Sequence, residues 1–126
     1  MIVGHGIDLF EIRRAEERLA TAHGEWVEGT FTEAERAQAD PEPHRAQYYA
    51  GRYAAKEAVA KALGTGFSDD VTWHDVEILR SATGAPTVNL SDGALEAARA
   101  LGVTGWFLSI SHDDSYAIAS AIAVAG

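Results

Sequence analysis

Arg52-Tyr53-Ala54-Ala55-Lys56-Glu57-Ala58-Val59-Ala60-Lys61-Ala62-Leu63, closed by Gly64-Thr65-Gly66, is the stretch whose reading decides the fold. Alanine dominates it and neither Gly nor Pro interrupts it, so a helix is expected, with Gly64 placed to serve as a left-handed C-terminal cap. At about 100° per residue Glu57 and Lys61 share one side, while Arg52 and Lys56 lie away from it among Tyr49, Val59 and Leu63. No broad polar face remains. Such a helix is expected to be central and packed, where charges are costly unless something binds them. The chain has 10 Lys and Arg residues in all, and its two lysines, Lys56 and Lys61, are both here. An ammonium differs from a guanidinium in hydration and in how readily it loses a proton, so the pair hints at places arginine cannot fill. Chance composition, with Glu57 and Lys61 as a helix-stabilising pair contributing about 0.2–0.5 kcal/mol, accounts for the same residues.

The surrounding chain is 126 residues with 47% hydrophobic content, enough for one domain, residues 1–126, with a core of its own. No run approaches the roughly 20 apolar residues of a membrane-spanning helix, and the start lacks the basic and apolar regions of an export signal. A soluble, cytoplasmic protein that does not meet a membrane is the expectation. The absence of cysteine excludes disulfides, thiolate metal sites and cysteine nucleophiles. A net charge of −9 argues against general nucleic-acid binding, so any phosphate site must be local.

In chain order, Ile2 to Leu9 reads as a strand in which Gly4 and Gly6 let another backbone or a ligand come close. Asp8 at its end is either a helix N-cap or a metal ligand, capping being the commoner case. A helix from Glu11 to about Ala22 carries Arg13, Arg14 and Arg18, the last two on one face. Gly24 to Thr30 reads as irregular. Thr32 and Glu35 fit a capping box for a helix to about Ala39, and Asp40 to Pro43 breaks it. From His44 the helical pattern resumes and runs into the central stretch, with His44 and Arg45 at an anion-favouring N-terminus. Val71 to Leu79 reads as a strand, Ser81 to Pro86 as a turn and Thr87 to Leu90 as the returning strand. Ser91 or Asp92 caps a helix to about Leu101. Trp106 to Ser111 and Tyr116 to Val124 form a hairpin around His112 to Ser115. In its second strand Tyr116, Ile118, Ile122 and Val124 alternate with alanines, so both faces are apolar and both need a cover, from the chain's own helices or from a neighbouring subunit. The expected architecture is α+β, a mostly antiparallel sheet packed with a long central helix.

Asp8 and Glu57 are two carboxylates from distant segments, an arrangement that suits magnesium, which takes one or two protein carboxylates and completes its shell with water and phosphate oxygens. Lys61, one turn beyond Glu57, could reach a phosphate there. No Walker-type glycine loop is present.

Three stretches together resemble the holo-acyl-carrier-protein synthases of the phosphopantetheinyl transferase family. They are Gly6-Ile7-Asp8-Leu9-Phe10-Glu11-Ile12 with Arg14, Gly51 to Ala62 with Gly64-Thr65-Gly66, and Ser109-Ile110-Ser111-His112 with Tyr116-Ala117. The resemblance covers nearly the whole chain in order. It implies transfer of the 4′-phosphopantetheine arm of coenzyme A to a serine of an apo acyl carrier protein, releasing adenosine 3′,5′-bisphosphate. It implies that Asp8 and Glu57 bind Mg²⁺, that Lys61 contacts phosphate, and that Glu57 helps deprotonate the serine through a metal-bound water. Gly64, Gly66, Pro86, Ser111 and His112 would line the coenzyme A pocket, with Arg52, His44 or Arg45 near its 3′-phosphate or adenine end. Arg13, Arg14 and Arg18 would meet the acidic carrier protein, and the enzyme would be a homotrimer with active sites between subunits. Between glycine and proline the family usually carries a longer or more basic residue than Ala85. A Mg²⁺-dependent hydrolase of coenzyme A or nucleotide diphosphates, and a non-enzymatic oligomeric binding module, are the other readings of the same residues.

Overall fold

From the N-terminus the chain forms β1 (Ile2–Glu11), α1 (Ile12–Ala20), α2 (Glu25–Thr30), α3 (Glu33–Ala39), α4 (Arg45–Leu63), a 3₁₀ turn (Trp73–Asp75), β2 (Val76–Arg80), β3 (Pro86–Leu90), α5 (Asp92–Leu101), β4 (Val103–His112) and β5 (Tyr116–Ala125). These elements come from a computed structural model that describes residues 1–21 and 24–126. The fold is α+β. Its strands are antiparallel but form two sheets, a three-stranded one in the order β1-β5-β4 and the separate hairpin β2-β3, where the sequence suggested one.

α4 lies across the inner face of the larger sheet, packed on β1 and β5. Ala117, Ala119, Ala121 and Ala123 of β5 are buried beneath it, so the small residues of the last strand do admit a helix. The two glycines of β1 allow the same approach from the side. A Cβ on Gly4 would run into the Ala62 carbonyl and one on Gly6 into the Ala58 carbonyl, so the backbone they accommodate is that of α4. Twelve of the 19 residues of α4 are buried, as expected of a helix without a polar face, and Gly64 closes it at φ 77°.

Three local readings are corrected. Gly24 to Thr30 is not irregular: Glu25–Thr30 forms α2, with two acidic residues in its first turn where they favour the dipole. Val71 to Leu79 is strand only from Val76, because the Thr72 N–H and hydroxyl both donate to the Asp75 carboxylate and the Asp75 N–H returns to the Thr72 carbonyl, which closes a 3₁₀ turn first. α1 ends at Ala20, and its expected end at Ala22 lies outside the described residues. The capping box at Thr32 and Glu35 is present, and Gly102 at φ 74° ends α5.

Candidate active site

The register of β1 against α4 decides where Asp8 falls. Because Gly4 and Gly6 bring the strand against the Ala58–Ala62 turn, the next inward-facing position, Asp8, arrives beside the face of α4 that carries Glu57 and Lys61. Lys61 Nζ donates to the Ile7 carbonyl at 3.0 Å and to Asp8 Oδ1 at 3.1 Å. Asp8 is therefore not a helix cap; the residue before α1 is Glu11, which makes no side-chain capping bond. Glu57 is half-buried. Burial first, and the Asp8 carboxylate second, push its carboxyl above the usual range, opposed by Lys61. Two carboxylates thus converge on one lysine, and their charge is incompletely balanced within the chain.

This donor set fits a magnesium ion. The oxygens are hard, and among the described residues no cluster of three or more acidic or histidine side chains is assembled that would dispense with water or phosphate ligands.

A second group forms at the other end of α4. His44, Gln47, Tyr48 and Arg52 from α4 and its N-cap face Ser111 and His112 at the end of β4 across a cleft of ≈ 240 Å³. Arg52 is buried; its Nη2 donates to the Tyr48 hydroxyl at 2.9 Å and its Cζ stands 4.3 Å from that ring's centroid. Burial lowers the pKa of its guanidinium. The Gln47 side-chain amide nitrogen lies within hydrogen-bond distance of His112 Nε2, at 2.9 Å.

Of the residues singled out in the sequence, His44, Arg52, Ser111 and His112 line this cleft and Asp8, Glu57 and Lys61 meet at the first site. Gly64 and Gly66 follow Lys61, with left-handed backbones at φ 77° and 59°. Pro86 stands across the small hairpin from Arg80. Arg45 lies 3.9 Å from Asp40, outside the cleft. On α1, Arg13 pairs with Glu17 at 3.4 Å, Arg14 lies over the Phe10 ring, and Arg18 is shared among Phe10, Trp26 and Tyr53. Gln47 and Tyr48 were not anticipated. Tyr48 could have been found from its spacing of four to Arg52; Gln47 carries no such signal, because its partner is 65 residues away.

Lys56 belongs to neither group. Its Nζ, fully buried, donates to Glu35 Oε1 at 2.7 Å and to the Val76 carbonyl at 2.6 Å, while Glu35 also accepts from the backbone N–H of Thr32 and of Ile78. That ion pair ties α3, α4 and β2 together.

The family model of the 4′-phosphopantetheinyl transferase superfamily matches this chain over residues 4–121, and the chain belongs to that family. It is 44% identical over 124 residues, 98% of this chain and 94% of the relative, to the holo-[acyl-carrier-protein] synthase of Desulforudis audaxviator. Among solved structures it resembles the holo-[acyl-carrier-protein] synthase of Neisseria meningitidis, with a TM-score of 0.89, 27% identity and coverage of 98% and 99% of the two chains. It also resembles that of Bacillus anthracis, determined in complex with CoA (3′,5′-ADP), with a TM-score of 0.82, 34% identity and coverage of 100% and 99%.

Proposed function

We propose that the chain is a single phosphopantetheinyl transferase domain over residues 1–126 that moves the 4′-phosphopantetheine arm of coenzyme A to a serine of an apo acyl carrier protein. The serine Oγ forms a bond to the β-phosphorus, the pyrophosphate P–O bond breaks, and adenosine 3′,5′-bisphosphate leaves. The observation that carries the reading is the meeting of Asp8, Glu57 and Lys61 across the glycine-lined contact of β1 with α4. Asp8 and Glu57 would hold Mg²⁺, which when bound neutralises pyrophosphate charge. Lys61 uses two of its protons on Ile7 and Asp8 and keeps the third for a phosphate oxygen. Glu57 would help to deprotonate the incoming serine. Positioning and charge neutralisation are what phosphoryl transfer chiefly asks of a protein. The exposed Arg13 and Arg14 of α1, next to Arg18 on its aromatic seat, are the surface for the acidic carrier protein.

The site is completed by a neighbouring subunit, and the assembly is a homotrimer. Nine residues separate Arg52 from Lys61, which is about 13 Å along a helix and about half a turn around it. Within one chain the two groups face apart. Between them the outer face of the larger sheet exposes Ile7, Leu9, Phe107, Tyr116 and Ile118, from 37% to 67%. This apolar strip has Asp8 and Lys61 at one end and Ser111 and His112 at the other. A second copy seated on it would bring its cleft to the first copy's carboxylates, and would supply the outer cover that the last strand lacks.

Mass spectrometry of an apo acyl carrier protein incubated with coenzyme A and Mg²⁺ tests the reaction. One added phosphopantetheine is expected; release of adenosine 3′,5′-bisphosphate without a modified carrier would make the chain a hydrolase instead. Omission of Mg²⁺ should stop the transfer.

A further inference from the structure

β1 alternates between the two faces of the larger sheet. Gly4, Gly6 and Asp8 turn toward α4, so His5, Ile7 and Leu9 point to the outer face, where all three are exposed. In register His5 stands opposite Ile122, and Ile122 opposite Phe107. His5 Nε2 lies 3.4 Å from the Ser120 hydroxyl, and Ser120 stands opposite Ser109. An imidazole and two hydroxyls thus interrupt a strip whose exposed members around them are Ile7, Phe107 and Ile118.

Histidine is the side chain whose charge changes between about pH 5 and 8, so the charges that face this one decide what protonation would do. On the outer face its neighbours are Ile7 of β1, Ser120 and Ile122 of β5 and, beyond them, Phe107 and Ser109 of β4, and none carries a charge. The Met1 ammonium, bound to the Ala125 carbonyl, is a like charge at the same end of β1. Asp8 and Lys61 are paired with each other on the side of β1 that faces α4. Among the described residues the first carboxylate on the face of β1 that carries His5 is Glu11, six residues along the strand or about 20 Å away, with Asp113 at the same far end of the strip. The strip of a second copy presents these same groups.

We propose that His5 is a pH sensor for assembly: copies of the chain join through this face while the imidazole is neutral and separate when it takes up a proton, which switches the enzyme off in acid. The inference rests on the assembly proposed above, in which a second copy covers the strip and brings the cleft of one chain to the carboxylates of another. Covering the strip takes water from the imidazole. A neutral ring keeps the Ser120 hydroxyl as a partner, whereas an imidazolium is left in an apolar contact without a carboxylate on its face, which is costly. Dissociation therefore takes up protons, so assembly is complete above the ordinary histidine range and is lost as pH falls below it. With one proton for each of three copies, the dissociation constant rises up to about 1000-fold per pH unit once the free chains are protonated.

Sedimentation velocity at several protein concentrations, from about pH 8 down to about pH 5.5, tests this on the wild type, His5→Leu, His5→Gln and His5→Arg, with circular dichroism to show that each chain stays folded. The wild type should be a trimer at the upper end and come apart toward the lower, dilute samples first. His5→Leu and His5→Gln should stay assembled throughout and keep the wild-type transfer rate at the upper end, since His5 lies in neither the cleft nor the carboxylate group. His5→Arg, with a permanent charge, should be a monomer at every pH. Acid dissociation of His5→Leu and His5→Gln in step with the wild type, an assembled His5→Arg, or a wild-type trimer that persists at the lower end would each overturn the sensor and leave the assembly standing. A wild type that is monomeric at every pH would overturn both.

Discussion

Lys56 and Lys61 sit on the same helix five residues apart, and the chain answers their charges in opposite ways. Lys56 is fully buried, with its protons committed to Glu35 and the Val76 carbonyl and with Glu35 committed in turn to Thr32 and Ile78. Lys61 is half-exposed, pairs with Asp8 at 3.1 Å and faces a second carboxylate in Glu57. The first charge is closed within the fold. The second is held in a group whose balance is left for something else to complete. Residue type says nothing about which is which; the partners do.

The largest effect expected from this contrast is on stability at Lys56. Lys56→Met leaves the Glu35 carboxylate buried without its cation, which should cost about 3–5 kcal/mol in chemical denaturation. Adding Glu35→Leu should not restore it, because the Thr32 and Ile78 N–H groups then lose their acceptor at about 1–3 kcal/mol each. Recovery in the double variant would mean that the pair is an isolated ion pair and not the hub of a network.

Lys61→Met should behave the other way. Lys61 is half-exposed, so stability should change by less than about 1 kcal/mol, while the proposed role at a phosphate predicts a transfer rate lower by about 100-fold. Equal damage to stability and rate would erase the distinction between the two lysines.

Much of this was readable in the chain. Alanine content and the lack of a polar face identify α4 as a packed helix, and Thr32 with Glu35 announces the start of α3. The meeting of Asp8 with Glu57 and Lys61 was expected on chemical grounds and on resemblance. What could not be read was the use of Lys56, because its partner Glu35 had already been explained by the capping box. One Glu35 oxygen serves the cap and the lysine together, and local spacing reveals only the first. The late start of β2 was hidden for a related reason: Thr72 and Asp75 spend the start of the expected strand on a 3₁₀ turn, a side-chain competition that apolar content does not register. Gly4 and Gly6 were seen to permit an approach, but only the register with α4 shows what approaches.

Gly6→Ala tests how far the site depends on that approach. The added methyl meets the Ala58 carbonyl, part of a helix backbone that cannot turn aside, so β1 and α4 must separate. Overpacking of this kind should cost about 1–3 kcal/mol. It should also lower the rate in molecules that remain folded, since it moves Asp8 away from Lys61. Stability lost with full activity would show that the carboxylate's position does not depend on this contact.

The smallest effect concerns a charge that resembles Lys56 in having its partners inside the chain and Lys61 in lying at the surface. Asp113 Oδ1, in the turn between β4 and β5, accepts the N–H of Tyr116 at 2.7 Å and of Ser115 at 2.8 Å. Those two backbone bonds hold its carboxyl below the usual carboxylate range, the Tyr116 bond most strongly. Since the folded pKa is depressed, the stabilisation is complete above the ordinary value and is lost as pH falls through the folded one. Asp113→Asn keeps an acceptor for both N–H groups but removes the charge. Melting temperatures of the two proteins should therefore differ slightly at neutral pH, with the wild type higher, and converge in acid. A difference that persists unchanged into acid would mean that the turn is held by shape and not by the carboxylate's charge, leaving Lys56 as the clearer case of a charge used for structure.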